Sequence, residues 1–164
     1  MKGLDMKESI KSALKLTNCP YYLVTRASLS ITSVLKKSFS KAGYHKLKPS
    51  YLGVLMALSQ EDNLKMIDLG RKINLEPSSM TGLLDRMERD GLVQRILDPN
   101  DRRVQRIVLT SYGRSILPDI IEIVFNLLDT VFEGIAQKDI EITKSVLRQV
   151  LLNVKNKNKS IMKG

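Results

Sequence analysis

The apolar positions between residues 64 and 90 fall into two short runs at helical spacing. The first run starts at Leu64 and ends at Asn74, a residue suited to a left-handed C-terminal cap. Glu76-Pro77 then predicts a second helix, because proline is favoured at the first helical position, where its missing N–H needs no partner. The predicted buried face of this helix carries Met80, Leu83, Leu84 and Met87. Together the runs predict a helix-turn-helix.

Two β-rich runs follow, 92–97 and 104–109, and a cluster of turn-forming and charged residues, 98–103, separates them. This pattern predicts a hairpin with a long, charged tip. A helix-turn-helix followed at once by a hairpin is the winged-helix arrangement, in which the second helix enters a DNA major groove and the tip reaches the backbone or a minor groove. Six of the ten arginines fall between positions 86 and 106. Arginine side chains bind phosphates and enter narrow minor grooves, so this clustering favours a DNA-binding surface.

Helical patterns flank this lobe on both sides. One helix is predicted over 20–42, where Gly43 stops it, and Lys48-Pro49-Ser50 starts another. After Thr110, a predicted N-cap, a long helix is expected to run to about Phe132, and a last helix to about Val154. The fold class predicted is therefore mainly α with a small β-hairpin wing (α+β). A winged-helix lobe over 49–110 lies between helices with wide apolar faces, and 156–164 is expected to be a flexible basic tail.

Composition narrows the class of partner. The chain has 164 residues, one domain's worth, with a formal net charge of +10 and a pI of about 9.8, which favours a polyanion. The N-terminal stretch 1–16 lacks the apolar core of a signal peptide. The most apolar segment, 116–132, is interrupted by Pro118 and by charged residues, so it does not fit a membrane span. A cytoplasmic protein is expected.

The sequence offers no recognisable catalytic site. With one cysteine and one histidine, an intrachain disulfide and a Cys/His metal cluster are excluded. No carboxylate pair sits in a known catalytic motif, and no glycine-rich phosphate loop is present. We therefore expect a protein that is not an enzyme and that uses no metal or cofactor.

The wing region GLVQRILDPNDRRVQRIVLTSYG resembles the wing signature of MarR-type transcriptional regulators, and the resemblance runs from about Tyr21 to about Val154. That family's Asp-x-Arg motif matches Asp101 and Arg103, which implies that Arg103 enters the minor groove and that Asp101 braces the wing. Val104 departs from the alanine or serine more usual there. The resemblance also implies a homodimer, built from the helices in 20–42 and 111–155, that represses from a palindromic double-stranded DNA operator.

The candidate DNA contacts divide by role. On the second helix of the helix-turn-helix, those for base edges or flanking phosphates are Ser78, Ser79, Thr81 and Arg86. At the hairpin, Arg103 is expected to read minor-groove shape, while Arg95 and Arg102 are expected to hold phosphates. The alternative for Arg89, Arg95 and Arg106 is a charged surface, with these arginines paired to Asp85, Glu88 or Asp98.

The resemblance implies release by a small effector, such as an aromatic or phenolic acid. His45 and Tyr51 are candidate ligand contacts; the alternative is a loop histidine exposed to solvent and a core tyrosine. Some relatives sense peroxides through a cysteine near tyrosines, and Cys19 precedes Pro20-Tyr21-Tyr22, although an ordinary structural cysteine is the alternative. A protein-interaction module is a third possibility, but it would not require exposed arginines beside a serine-rich helix.

Overall fold

The structure is a computed structural model that describes residues 16–161. The segment 1–15, where no signal peptide is expected, and the end of the predicted tail, 162–164, lie outside the described residues. Two 3₁₀ turns, Leu16–Asn18 and Pro49–Tyr51, precede the first two helices. The helices are α1 Pro20–Lys41, α2 Leu52–Gln60, α3 Met66–Ile73, α4 Pro77–Arg89, α5 Ser111–Ser115, α6 Leu117–Val131 and α7 Gln137–Ile161. The strands are β1 Leu64–Lys65, β2 Val93–Leu97 and β3 Gln105–Leu109.

The chain divides into two compact units, one ending at Leu127 and the other beginning at Leu128. The first unit contains the helix-turn-helix, the sheet and most of α6. The second contains the end of α6 and the whole of α7. The organisation of 1–164 as a single domain stays a prediction.

The three strands form an antiparallel sheet in the order β1-β3-β2. The hairpin of β2 and β3 confirms the predicted wing, with Arg95 opposite Ile107 and Leu97 opposite Gln105. The prediction of a helix from Leu64 is wrong for its first two residues, because Leu64 and Lys65 pair with the other edge of β3. Pairing with that edge gives their backbone ladder hydrogen bonds, so the helix starts only at Met66.

The helix-turn-helix is formed by α3 and α4. Asn74 ends α3 with a φ of 55°, in the left-handed region, and the amide of Leu75 donates to the carbonyl of Gly70 at 2.9 Å. Only residues 74–76 separate the helices before α4 begins at Pro77. The predicted cap, the short turn and the helix start at proline are confirmed.

The core of the first unit lies where α4 and the sheet meet α1, α2 and α6. The predicted buried face of α4 is confirmed: Met80, Leu83, Leu84 and Met87 are all buried. Phe39 from α1, Leu55 and Leu58 from α2, Ile107 from β3 and Ile120 from α6 are also buried. Each such side chain contributes about 1.5–3 kcal/mol through burial of apolar surface.

The single long helix expected after Thr110 is broken in two. Thr110 is the N-cap as predicted, since its Oγ accepts the amide of Gly113 at 2.9 Å, but α5 ends at Ser115 and α6 starts at Leu117. Pro118 explains the correction, because proline has no N–H to donate and its ring would clash with the carbonyl of Arg114 in a continuous helix.

The last helix, α7, continues to Ile161 and enters the segment predicted as a flexible tail. No glycine or proline occurs between Gln137 and Ile161, and the lysines there favour helix, so nothing local ends it. Among the helices of residues 16–161, none has the length and apolar character that crossing a membrane requires.

Candidate nucleic-acid interface

Helix α4 has a buried apolar face and an exposed polar face. Ser78, Ser79, Thr81 and Arg86 are exposed, as a surface that contacts another molecule requires. The hydroxyl of Thr81 donates to the carbonyl of Pro77 at 3.2 Å, which leaves the lone pairs of its oxygen free to accept a hydrogen bond. Glu76 precedes the helix in an extended conformation, and no side chain caps the first turn, so its amides are available to an anion.

The tip of the wing is held by Asp101 and exposes two arginines. The Asp101 carboxylate accepts the amide of Arg103 at 3.0 Å and its Nε at 3.3 Å, and the Asp101 carbonyl accepts the amide of Val104 at 2.9 Å. The side chain of Arg103 is nevertheless 92% exposed, and Arg102 is exposed beside it. The loop therefore fixes the backbone of the tip and leaves the guanidinium groups in solvent.

A second carboxylate, Asp98, holds the base of the wing. It is only 3% exposed and accepts the amide of Asn100 at 2.9 Å and Nε of Arg106 at 2.6 Å. The Asn100 amide, followed by the Arg106 guanidinium, lowers the pKa of Asp98. Arg106 also donates to the carbonyl of Asn63 at 2.7 Å, which joins the wing to the loop before β1.

The family resemblance implies a bracing role for Asp101, whereas the sequence indicates Asp98 only as a possible partner of an arginine. A signal for Asp98 exists, since aspartate two residues before Asn100 can close a turn with its side chain. Its burial depends on the hairpin register, which sets Ile96 opposite Arg106.

Arg95 forms ion pairs with carboxylates of α4. Its guanidinium pairs with Asp85 at 2.6 Å and with Glu88, and its own amide donates to Glu88 at 3.0 Å. Arg106 is likewise paired, with Asp98, so both arginines match the charged-surface alternative. The assignment of Arg95 to a phosphate stays a prediction. Within the described part of the chain Arg86, Arg89 and Arg102 form no ion pair.

The first unit also contains a cavity of about 340 Å³ beside the loop that follows α1. Its lining mixes apolar and polar side chains: Tyr44, His45, Lys46, Leu47, Asp90, Leu92, Tyr112 and Ile116. His45 is therefore at a cavity, with its Nδ1 3.1 Å from the Ser40 hydroxyl. The cavity is large enough for a small organic molecule.

Tyr51 does not line this cavity. Its side chain is fully buried and its hydroxyl donates to Asp90 at 2.6 Å, as the core-tyrosine alternative has it. Burial, followed by the hydrogen bond to Asp90, raises the pKa of Tyr51 to about 12. Tyr44 similarly donates to Asp119, which raises the pKa of Tyr44 to about 12.

Cys19 lies directly before Pro20, the first residue of α1, and carries a free, half-buried thiol. Its redox role stays a prediction. Within residues 17–157, no cluster of histidine, cysteine and carboxylate side chains could hold a metal ion.

Helices α1 and α7 each expose apolar side chains in the isolated chain. On α1 these include Leu23, Val24, Leu29 and Val34. On α7 one stripe includes Ile142, Val146, Leu147, Val150, Leu151 and Val154, and Leu152 is exposed on roughly the opposite side. Patches of this extent are typical of surfaces that another protein covers.

A helix-turn-helix joined to an arginine-tipped hairpin defines the winged helix-turn-helix class of transcriptional regulators. The family model described as MarR family matches residues 47–104. The regulator SarZ of Staphylococcus haemolyticus is 33% identical over 129 residues, which span 76% of this chain and 85% of SarZ. The chain belongs to the MarR family of transcriptional regulators.

Two further similarities extend along most of the chain. The regulator MhqR of Bacillus subtilis is 29% identical over 135 residues, which span 82% of this chain and 91% of MhqR. The solved structure of CouR from Rhodococcus jostii RHA1, bound to p-coumaroyl-CoA, is 26% identical with a TM-score of 0.71 and covers 84% of this chain and 95% of that chain.

Proposed function

We propose that this regulator binds a palindromic double-stranded DNA operator as a homodimer and represses transcription from it. The observation that carries the proposal is the pairing, in one compact unit, of a polar exposed face on α4 with two exposed arginines at the wing tip. The net charge of +10 favours association with DNA. A regulator of this kind acts in the cytoplasm.

In the proposed complex, α4 lies in the major groove and the wing tip lies over the minor groove. Ser78, Ser79 and Thr81 contact base edges or flanking phosphates. Arg86 is suited to guanine, the commonest specific partner of arginine. Arg103 enters the minor groove and Arg102 contacts a phosphate, since both side chains are exposed and neither carries two carboxylate partners.

The exposed apolar faces of α1 and α7 support dimerisation. One recognition helix reads only a few base pairs, whereas a two-fold dimer reads two half-sites about one helical turn apart. In water these faces favour a second copy of the chain over solvent.

The cavity beside His45 supports control by a small ligand. Leu47, Leu92 and Ile116 offer apolar contacts, and His45 and Lys46 can contact an acidic group, so an aromatic or phenolic acid suits it. The solved relative CouR binds p-coumaroyl-CoA, a ligand with an aromatic acyl group. Such a ligand releases DNA only if it binds the DNA-free state more tightly.

The test begins with selection of binding sites from a random pool of DNA duplexes. The selected duplex and a scrambled duplex are then titrated with the protein at two salt concentrations. We expect a palindromic consensus, tight binding to it, and a slope of log affinity against log salt of roughly −0.9 for each phosphate neutralised. Equal, weak binding to both duplexes would contradict the proposal and direct the search to a protein partner.

A further inference from the structure

Arg95 makes more polar contacts than any of the exposed wing arginines described above. From β2 its two terminal nitrogens reach Asp85 at 2.6 Å and Glu88, and one of them also reaches the carbonyl of Thr81 at 3.4 Å. Its backbone amide donates to the same Glu88 carboxylate at 3.0 Å. Strand β2 is thus fastened to three residues of α4.

Arg95 is also more buried than the arginines at the wing tip. Its side chain is 17% exposed, whereas that of Arg103 is 92% exposed. Asp85 and Glu88 are three residues apart and so share a face of α4, where a planar, forked guanidinium can bridge them. Moving Arg95 to a phosphate would leave two carboxylates unpaired next to the polyanion.

We infer that Arg95 is a positioning residue that sets the orientation of the wing relative to the recognition helix. This inference rests on the proposed function and replaces the phosphate contact expected from the sequence. In the proposed complex, α4 and Arg103 contact the same operator. Both sets of contacts can form only if the position of the wing relative to α4 is fixed. Asp85 and Glu88 then act on specificity through Arg95 without touching DNA.

The charge-conserving variant Arg95→Lys separates the two roles. An ammonium group can satisfy a phosphate, but it cannot form the fork to two carboxylates. We expect Arg95→Lys to lower the ratio of selected-duplex to scrambled-duplex affinity by about tenfold, while the affinity for the scrambled duplex changes less than about twofold. A ratio held within twofold of wild type would overturn the inference.

Arg71→Lys is the matched control. Arg71 lies on α3 in the same unit and forms a single exposed ion pair with Asp68 at 3.3 Å. The ratio should stay at the wild-type value in this variant, since a lysine can replace the arginine there.

Glu88→Ala tests the inference from the other partner. The loss of a negative charge alone would raise affinity for any DNA, but loss of the contact to Arg95 should lower the specificity ratio. Glu61→Ala, which removes a carboxylate paired with Lys72, gives the same charge change and should leave the ratio unchanged. In the double variant Glu88→Ala/Arg95→Lys, the specificity ratio should fall no further than in the more impaired single variant. Additive decreases in the ratio would refute a shared mechanism.

A measurement without DNA distinguishes failure of this inference from failure of the proposed function. If wild type does not discriminate between duplexes, the proposed function fails. Amide hydrogen exchange of the free protein still tests the link between β2 and α4. Exchange in β2 should be several-fold faster in Arg95→Lys than in wild type and unchanged in Arg71→Lys; equal exchange in all three proteins would contradict the inference.

Discussion

Arg103 is the residue on which minor-groove recognition should depend. Its guanidinium extends into solvent while Asp101 fixes its backbone, so Arg103→Ala should alter DNA binding without altering the fold. We expect this variant to bind the selected duplex more weakly by about 1–3 kcal/mol. Fluorescence anisotropy titration measures the affinity, and sedimentation velocity shows whether the oligomeric state is retained.

Lys144→Ala is the control for Arg103→Ala, because Lys144 is a surface cation on α7 paired with Glu141. Its affinity for the selected duplex should match wild type within about twofold. Unchanged binding by an Arg103→Ala protein of native oligomeric state would show that the wing tip does not enter the groove.

Tyr51 should contribute to stability in a way that depends on pH. Tyr51→Phe removes the buried hydrogen bond to Asp90, and we expect a loss of about 1–2 kcal/mol in the free energy of unfolding at pH 7. Because the pKa of Tyr51 is raised to about 12, the contribution of its protonated hydroxyl is fully present below about pH 10, the unfolded value. That contribution is lost as the pH rises through 12.

Urea denaturation at pH 7, 10 and 12 measures this dependence. The free energies of unfolding of wild type and Tyr51→Phe should converge between pH 10 and 12. Tyr44→Phe is a second variant for this test, because the hydrogen bond to Asp119 raises the pKa of Tyr44 to about 12. The contribution of the Tyr44 hydroxyl to the free energy of unfolding should therefore disappear over the same pH range. A constant difference between wild type and Tyr51→Phe from pH 7 to 12 would argue against the hydrogen bond as the cause.

For single residues, the sequence predicts which side chains are exposed better than it predicts their ion-pair partners. The exposed serines and arginines of α4 follow from helical period alone, because Met80, Leu83 and Met87 define the opposite face. The partners of Arg95 and Arg106 do not follow, because each is a contact across elements that depends on hairpin register and helix docking. For the same reason the sequence indicates Asp98 as a turn residue and a possible arginine partner but does not predict its burial at the base of the wing.

Helix α5 depends on the close approach of Gly113 to the carbonyl of Leu92. An added Cβ at Gly113 would lie 2.1 Å from that backbone oxygen, so Gly113→Ala must displace α5 or the backbone of Leu92, the residue before β2. We expect a loss of about 2 kcal/mol or more in stability, measured by urea denaturation.

Gly82→Ala, in α4, should not destabilise the protein. The nearest atom to its added Cβ is the flexible end of Arg86 at 3.5 Å, an ordinary contact. Since alanine favours helix over glycine by about 0.8–1 kcal/mol, this variant should be as stable as wild type or slightly more stable. Equal destabilisation by the two substitutions would show that the contact with Leu92 is not the cause.

Element types could be predicted from the sequence more securely than element ends. Pro77, Asn74 and Thr110 mark boundaries by local chemistry, and all three lie where that chemistry requires. Leu64 and Lys65 form a strand because of β3, more than forty residues later, which no local pattern contains. The break at Pro118 was, by contrast, predictable from proline alone.

The exposed apolar stripe of α7 leads to a prediction for the whole molecule. Val150 lies within the stripe that includes Val146 and Val154, whereas Leu152 lies on roughly the opposite side of the helix. Val150→Asp should convert the proposed dimer to monomer, because it would place an unpaired carboxylate in an apolar interface. Affinity for the selected palindrome should fall at least tenfold, since one lobe would then read one half-site.

Leu152→Asp is the matched control, with the same charge change at a similarly exposed apolar residue. Its oligomeric state should match wild type in sedimentation velocity at equal protein concentration. A fully dimeric Val150→Asp protein would show that the apolar stripe of α7 is not the interface.

The contact between Glu88 and the amide of Arg95 also affects whether the open edge of β2 can pair with a strand of another molecule. Arg95 pairs with Ile107 on one side, and its N–H points away from β3, toward the open edge of β2. An unpaired amide on an exposed strand edge is a template for intermolecular β-pairing. Glu88 accepts that N–H, so the edge presents a carboxylate to any approaching strand, and a chain without Glu88 should become more prone to aggregate as its concentration rises.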